Sequence, residues 1–251
     1  MFSFKHLNRI VSLLVAFSSY VRCDNTTAPT RFGVIVFPGF EALDVFGPLD
    51  ALNLNSYDHS MNLTIIAETL HPVRTNHLPW IKYHVNSTFG AEVLPTHTFE
   101  TAPPLDVLLV PGGLGTRAPS PLLNSTIAFV KERYPTLQYL LTVCTGAGIV
   151  ARAGVLDGKF ATTNKRAWEE IIVLGPKVKW VPKARWVVDG NIWTSSGVSA
   201  GIDLTIAFIA SVWGNATATS IANGMEYVAI TDSHNDPFSG LYNLTMPAVQ
   251  P

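Results

Sequence analysis

Short apolar runs alternate along this chain with longer stretches in which apolar residues recur at helical spacing. The runs are rich in β-branched residues, as in strands that are covered on both faces. They predict strands at 32–37, 63–67, 105–110, 139–143 and 160–163, and a hairpin over 185–194 with Asp-Gly-Asn at its turn. Helices are predicted from 48 to 54, 121 to 133, Cys144 to about 153, 165 to 172, 201 to 213 and 216 to 227, with short strands and loops over 70–101. The alternation predicts an α/β fold, a mostly parallel sheet with helices on both faces.

Three predicted loops follow the strands that end at Phe37, Val110 and Val143. Active sites of such sheets lie at the carboxyl ends of the strands. We therefore expect Asp44, the Gly112-Gly113 pair and Cys144 to meet at one edge of the sheet.

Cys144 is the candidate nucleophile, because a buried-looking strand runs directly into Cys144-Thr145-Gly146-Ala147-Gly148. Small residues after a strand allow the sharp turn of a nucleophile elbow. At the start of the following helix, unpaired N–H groups and the helix dipole favour the thiolate, so we expect a reactive thiol. The alternative is a small buried hydrophobic residue, which most free cysteines are.

Asp44 is the candidate acid, since it lies between the apolar residues Leu43 and Val45 in a predicted loop. Burial would raise the pKa of its carboxyl group, which suits proton transfer near neutral pH. The alternative is a helix N-cap around Gly47-Pro48, and Glu41 is a rival acid nearby.

Gly112 and Gly113 can present bare backbone N–H groups to a developing negative charge, as an oxyanion hole does. Thr145 adds an N–H and a hydroxyl group beside the candidate nucleophile. The alternative for the two glycines is a tight turn that needs glycine for steric reasons.

Composition limits the class of protein. The 251 residues are 47% hydrophobic and 14% charged, with a net charge of −1, which permits a large core and excludes a disordered chain or a strongly basic nucleic-acid binder. No linker, charge run or repeat divides residues 24–251, so we expect one domain there. The seven histidines lack the spacing of a metal site, and we expect neither a metal nor an organic cofactor.

The first 23 residues resemble a secretory signal peptide. Lys5 and Arg9 precede an apolar run at 10–17 that is too short to span a membrane, and cleavage is predicted after Cys23. A buried strand and an uncleaved anchor are the alternatives. Six N-x-Ser/Thr sequons support a secreted glycoprotein without a membrane anchor, at Asn25, Asn62, Asn86, Asn124, Asn215 and Asn243. Cleavage would leave Cys144 as the one cysteine of the mature chain.

Several motifs carry a resemblance to a known family. They are FPGFEALDVFGP at 37–48, DVLLVPGG at 106–113 and VCTGA at 143–147, and they are similar to those of the ThiJ/PfpI (DJ-one) superfamily within the class I glutamine-amidotransferase-like group. The segments GVLDGKFATT at 154–163 and SGVSAGID at 196–203 resemble its isonitrile hydratase branch. The resemblance extends roughly from Phe32 to Tyr227.

The resemblance implies a flavodoxin-like three-layer α/β sandwich, a homodimer, and a site formed by Asp44, Cys144 and Thr145. Other branches use a glutamate in the first loop and often a histidine after the Thr-Thr pair, where this chain has Asn164. Asparagine is no base, so a Cys-His pair at that point is excluded and Asn164 becomes a substrate-binding candidate.

Three functions follow from the resemblance. The first is Cys144-dependent hydration of a small electrophile, with an isonitrile as the example. The second is glyoxalase-like or other lyase or isomerase chemistry on a reactive carbonyl or secondary metabolite. The third is a non-catalytic binding or redox-sensing protein. Some relatives are the sensory half of transcription regulators, but no helix-turn-helix is predicted after the last helix.

Overall fold

A computed structural model describes residues 27–244 apart from 77, 79, 82–84 and 86. The predicted signal peptide, Cys23 and the sequons at Asn25 and Asn86 lie outside the described residues. The four sequon asparagines inside them, Asn62, Asn124, Asn215 and Asn243, are all exposed, as glycosylation would require.

The described strands are β1 Arg31–Ile35, β2 Asn62–Ala67, β3 Val73–Arg74, β4 Glu92–Val93, β5 His97–Thr98, β6 Val107–Val110, β7 Tyr139–Thr142, β8 Phe160–Ala161, β9 Lys179–Trp180, β10 Trp186–Asp189 and β11 Ile192–Ser195. The described helices are α1 Ala42–Asn55, α2 Asn124–Arg133, α3 Gly146–Arg152, α4 Trp168–Ile172, α5 Ala200–Trp213, α6 Asn215–Gly224 and α7 Pro237–Leu241. The alternation that the hydrophobic pattern predicts is present, with most boundaries displaced by one to three residues.

Seven strands form the main sheet in the order β10-β11-β7-β6-β1-β2-β5. All neighbours are parallel except β10 and β11, which form the predicted antiparallel hairpin. Helices α1, α5 and α6 pack against one another, while α2, α3 and α4 form a second group. The fold is the predicted flavodoxin-like α/β sandwich around a mostly parallel sheet.

The chain passes from β1 to β2 on one side and later returns to β6 on the other side of β1. This change of direction leaves a crevice beyond the carboxyl ends of β1 and β6, where ligands of open α/β sheets bind. Apart from the first residue of β1 and of β7, the strands beneath the crevice are buried, as their apolar runs predict. The three candidate loops therefore start from a rigid platform.

Helix α1 differs from its prediction, because it begins at Ala42 and Pro48 lies inside it. Proline normally prefers the first helical turn, since it cannot donate the hydrogen bond that the carbonyl four residues earlier would accept. Packing outweighs that preference here, because Val45 and Leu52 are buried on the helix. Asp44 therefore lies in the first turn of a helix and not in a loop.

The short helix α7 is not predicted by the hydrophobic pattern. It begins where Asp236 accepts a hydrogen bond from the N–H of Phe238. Within the described ranges, no helix has the length and hydropathy needed to cross a membrane.

Candidate active site

Cys144 occupies a sharp turn between β7 and α3, and its φ angle is 58°. A positive φ is rare for a residue with a side chain and marks a strained backbone, as in a nucleophile elbow. The turn needs a small residue at Gly146, since a Cβ atom there would lie 2.3 Å from the carbonyl oxygen of Val110. The Cys144 N–H donates to the Ser196 carbonyl at 2.9 Å, which ties the elbow to the end of β11.

The charge state of Cys144 differs from the expectation of a thiolate. Burial, and to a smaller extent the nearby Asp44 charge, raises the pKa of its thiol to about 12. The backbone N–H groups of Val198 and Thr145 and the Asn164 amide lower the pKa, but they do not outweigh burial. Helix α3 has only seven residues, so its dipole is small. Cys144 is therefore a thiol at neutral pH.

Asp44 is fully buried, and its Oδ2 atom accepts a hydrogen bond from the Gly112 N–H at 2.8 Å. It is not a helix cap, since the residue preceding α1 is Glu41 and no side chain caps that end. Its second oxygen, Oδ1, is buried and lacks a partner with hydrogen-bond geometry among the described residues. A buried unpartnered carboxyl oxygen is costly in a purely structural residue and is available to a reacting group.

Burial raises the pKa of Asp44 to about 7, opposed by the Gly112 N–H, and the Glu41 charge contributes to the rise. The thiol of Cys144 acts in the opposite direction and lowers the Asp44 pKa. The two side chains are thus close enough for each to influence the ionisation of the other. They form a buried pair that loses its first proton near neutral pH. Glu41 is exposed, so Asp44 is the acid that couples to the thiol.

Gly112 and Gly113 lie where the sequence places them, but their N–H groups are not free. Gly112 donates to Asp44, and Gly113 donates to Thr145 Oγ1 at 3.0 Å. The side chains of Asp44 and Thr145 occupy these two donors in this structure, and the expected oxyanion role stays a prediction. The glycines hold the acid and the threonine in place.

Thr145 is buried, and its hydroxyl group has two neighbours besides Gly113 N. Thr116 Oγ1 donates to Thr145 Oγ1 at 3.0 Å, and the Gly113 carbonyl accepts from Thr145 Oγ1 at 3.3 Å. Thr116 has no motif to distinguish it in the sequence. Its role depends on the short 3₁₀ turn Leu114–Arg117, which returns the chain to the site.

The sequence resemblance implies a histidine at position 164 in other branches, and here the Nδ2 atom of Asn164 donates to Cys144 Sγ at 3.1 Å. Its Oδ1 accepts from the Ala167 N–H at 3.0 Å, so the amide is oriented with its N–H towards the sulfur. An amide donor stabilises negative charge on sulfur without exchanging a proton. Asn164 therefore belongs to the site, as a donor.

Three other residues in contact with Cys144 are missing from the sequence-based list. Thr163 Oγ1 donates to the Cys144 carbonyl at 2.8 Å, the Ser196 carbonyl accepts from the Cys144 N–H, and the Val198 backbone faces the thiol. All three lie within the family-like segments 154–163 and 196–203, which are the one signal that points to them. In the part of the chain that the structure describes, no cluster of three or more His, Cys, Asp or Glu side chains is arranged to hold a metal ion.

Residues 30–211 match the DJ-1/PfpI family. The chain belongs to this family. It is 34% identical over 201 residues to the isonitrile hydratase of Pseudomonas putida, and the aligned region covers 78% of each protein. It is 32% identical over 122 residues to a deglycase of Pyrococcus horikoshii, covering 47% of this chain and 69% of that protein. The crystal structure of a ThiJ/PfpI family protein from Pseudomonas syringae superposes with a TM-score of 0.64 at 28% identity, covering 87% of this chain and 82% of that one.

The tight packing at Gly112 gives a prediction for this DJ-1/PfpI site. A Cβ atom at Gly112 would lie 2.5 Å from Thr145 N, 2.6 Å from Thr145 Oγ1 and 2.9 Å from Asp44 Oδ2. We expect Gly112→Ala to lose about 1–3 kcal/mol of unfolding free energy through overpacking and about 100-fold in kcat through misplacement of the two side chains. Urea unfolding and turnover assays measure the two effects.

Gly224→Ala is the matched control, because nothing lies within 4 Å of a Cβ atom at that helix end. We expect it to keep wild-type turnover and to gain about 0.4–1 kcal/mol of unfolding free energy, since alanine loses less backbone freedom on folding than glycine. Equal behaviour of the two variants would contradict the close approach at Gly112.

Proposed function

We propose that this protein is an isonitrile hydratase-like lyase that adds water to a small electrophile through Cys144. The observation that carries the proposal is the buried Cys144–Asp44 pair. The hydrogen-bond donor to its sulfur is the amide of Asn164 and not a histidine. Such a pair can deliver one proton and one nucleophile to the same atom. The similarity to the Pseudomonas putida isonitrile hydratase over 78% of both chains supports the same chemistry.

In the first step, Cys144 adds to the terminal carbon of the isonitrile. The carboxylate of Asp44 accepts the thiol proton, the S–C bond forms, and the proton passes from Asp44 to the same carbon. The product is a thioimidate, R–N=CH–S–Cys144, and no atom is lost. Asn164 Nδ2 is 3.1 Å from Sγ and stabilises the negative charge that develops on sulfur.

In the second step, water adds to the C=N carbon, and the proton that Asp44 removes from the water passes to the nitrogen. Asp44, whose Oδ1 lacks a partner with hydrogen-bond geometry among the described residues, orients the water and accepts its proton. The C–S bond then breaks, the sulfur recovers a proton, and an N-substituted formamide leaves. The Thr145 hydroxyl group lies beside the reacting atoms and is held in place by Gly113 and Thr116.

The direct test is incubation of the purified protein with an alkyl or aryl isonitrile at pH 7.5 in H₂¹⁸O. We expect the formamide, identified by mass spectrometry, to carry ¹⁸O in its formyl group. In D₂O the formyl carbon should carry deuterium, because its hydrogen comes from the exchangeable Cys144–Asp44 pair. Formamide production no faster than in buffer would contradict the proposal.

Reactive carbonyls are the second candidate substrate class, and the similarity to a deglycase supports them. Methylglyoxal in the parallel assay separates the two classes. Its consumption without any formamide from the isonitrile would favour the carbonyl reaction. Selective peroxide oxidation of Cys144 without turnover of either substrate would favour redox sensing.

We further propose that the protein is secreted and forms a homodimer. The signal-like residues 1–23 and the six sequons support secretion, which the N-terminal sequence of the mature protein tests. Leu43 and Phe46, each 44% exposed on α1 beside Asp44, and Leu114, 50% exposed after Gly113, support an apolar contact at the site. Light scattering of the wild type and of Phe46→Glu tests the dimer, and a monomeric wild type would contradict it.

A further inference from the structure

The residues that follow α6, here called the C-terminal segment (225–244), lie beyond the part of the chain that matches the family. Asp236 in this segment is fully buried and lies 3.5 Å, Oδ2 to Nζ, from Lys165, whose side chain is 1% exposed. Lys165 directly follows Asn164, the donor to the Cys144 sulfur. The segment therefore contributes a buried charge next to the candidate active site.

Lys165 fixes the loop that carries Asn164. Its Nζ atom donates to Thr162 Oγ1 at 2.5 Å and to the Thr163 carbonyl at 3.1 Å, and it lies over the Trp168 ring. Thr163 in turn donates to the Cys144 carbonyl at 2.8 Å. One ammonium group thus joins Asp236 to the loop residues on either side of the sulfur contact.

A second connection uses the backbone. The Ser233 carbonyl accepts from the Arg185 N–H at 2.6 Å, the Arg185 carbonyl accepts from the Ser196 N–H at 2.8 Å, and the Ser196 carbonyl accepts from the Cys144 N–H at 2.9 Å. The Arg185 side chain also pairs with the buried Asp203, which accepts from Tyr227 and from the Ile230 N–H. The C-terminal segment therefore reaches the elbow by two independent routes.

A buried ion pair adds little net stability, because desolvation of both charges offsets their attraction. Removal of one charge would leave the other buried without a partner, so the two side chains must stay together. The clearer effect of the pair is therefore on the position of the groups that Lys165 contacts. The Lys165 ammonium group donates two hydrogen bonds to the residues before Asn164 and lies over the Trp168 ring after it, so the pair fixes that loop in one conformation.

We propose that Asp236 is a positioning residue for the Cys144 site, which acts through Lys165 to hold the Asn164 amide on the sulfur. The inference rests on the site of the proposed function but not on an isonitrile as substrate. The C-terminal segment is then part of the active-site framework of this chain and not an appendage of the family domain.

The experiment follows the rate of Cys144 alkylation by iodoacetamide between pH 6 and 11, measured by mass spectrometry of the Cys144 peptide. This readout reports the ionisation of the thiol and needs no substrate. The charged groups that face the two residues are Asp44 beside Cys144, and Asp236 and Arg185 beside Lys165. Burial lowers the pKa of Lys165 to about 8, so the variants are compared at pH 7, where its ammonium group is still charged. Because alkylation needs no substrate, the test of Asp236 remains valid even if the protein does not turn over an isonitrile.

We expect Asn164→Ala to displace the alkylation profile to higher pH, with a rate about 3- to 10-fold lower at pH 7, as loss of one hydrogen bond to the thiolate requires. Asp236→Asn should displace it in the same direction. The double variant should behave like Asn164→Ala alone, because both changes remove the same contact. Asp232→Asn is the matched control, since Asp232 is exposed on the same segment and contacts only exposed groups.

A wild-type profile in a folded Asp236→Asn variant would overturn the proposal, and so would additive effects in the double variant. If Asp236→Asn does not fold, Lys165→Met/Asp236→Leu removes both charges together and leaves none unpaired. We expect that variant to fold and to show the same displaced profile. Loss of folding in both variants would assign the pair to general stability and would also overturn the positioning role.

Discussion

Cys144→Ser is expected to lower isonitrile turnover by at least about 1,000-fold, because serine keeps the shape of the side chain but is a far weaker acid and nucleophile than cysteine. The fold should persist. A serine Oγ atom can accept the hydrogen bond that Asn164 Nδ2 now donates to the sulfur, and the positive φ angle of the elbow is unchanged. Steady-state kinetics and thermal unfolding measure the two properties.

An independent readout for the same variant is the covalent intermediate. Rapid quenching of the wild type with an isonitrile should add the mass of the substrate to the peptide that contains Cys144. The serine variant should show no such adduct. Val173→Ala serves as the control, because this side chain is 69% exposed beyond α4. Turnover of more than about a tenth of wild type in Cys144→Ser would exclude attack by sulfur.

Asp44→Asn is expected to lower turnover by a similar factor and, at the same time, to stabilise the protein at alkaline pH. The amide oxygen can still accept the Gly112 N–H, so the geometry is retained, but an amide cannot relay a proton. For the wild type, we expect kcat/KM to rise with pH through about 7, as the buried pair loses its first proton. The residual activity of the variant should lack this rise.

The sign of the stability effect follows from the pKa of the carboxyl group. Burial raises the pKa of Asp44 from 3.8 to about 7, so the folded state binds the proton more tightly than the unfolded state. The contribution of Asp44 to stability is fully present below about pH 4 and is lost as the pH rises through about 7. A rise of this size corresponds to about 4 kcal/mol at most.

Asparagine carries no charge at any of these pH values, so the advantage of the variant over wild type should grow between pH 5 and pH 8. Urea unfolding at the two pH values measures the difference. Glu41→Gln is the matched control, an exposed acid at the same helix end. It should keep its turnover, with the pH midpoint moved to lower pH, because the Glu41 charge raises the Asp44 pKa. A pH-independent stability difference for Asp44→Asn would contradict the buried ionisation.

The sequence predicts the fold and the place of the site, because both depend on local patterns. The apolar β-branched runs before Pro38, Pro111 and Cys144 indicate buried parallel strands, and the carboxyl ends of such strands meet at one edge. The small residues around Cys144 predict the elbow, and the structure confirms it with a φ angle of 58°. Asp44, Cys144, Thr145 and Asn164 are brought together there as predicted.

The charge state of the site is not visible in the sequence. A cysteine at a helix start suggests a thiolate, but the degree of burial decides the pKa, and burial depends on segments far away in the chain. The sequence likewise does not show which groups accept hydrogen bonds from the N–H groups of Gly112 and Gly113. Only the packed structure shows that the acceptors are Asp44 and Thr145. The start of α1 was predicted six residues too late, because the packing of Val45 and Leu52 overrides the preference of Pro48.

Local sequence patterns are enough to predict the α/β architecture, the elbow and the residue types that meet beyond the sheet, since hydrophobic periodicity and turn chemistry act over a few residues. Which protons those residues hold, and which contacts fix them in place, depends on packing in three dimensions. Burial raises the pKa values of Cys144 and Asp44, and it depends on contacts with residues far away in the chain. The Lys165–Asp236 pair likewise joins residues 71 positions apart. Long-range contacts of this kind leave no trace in a local pattern of apolar and polar positions.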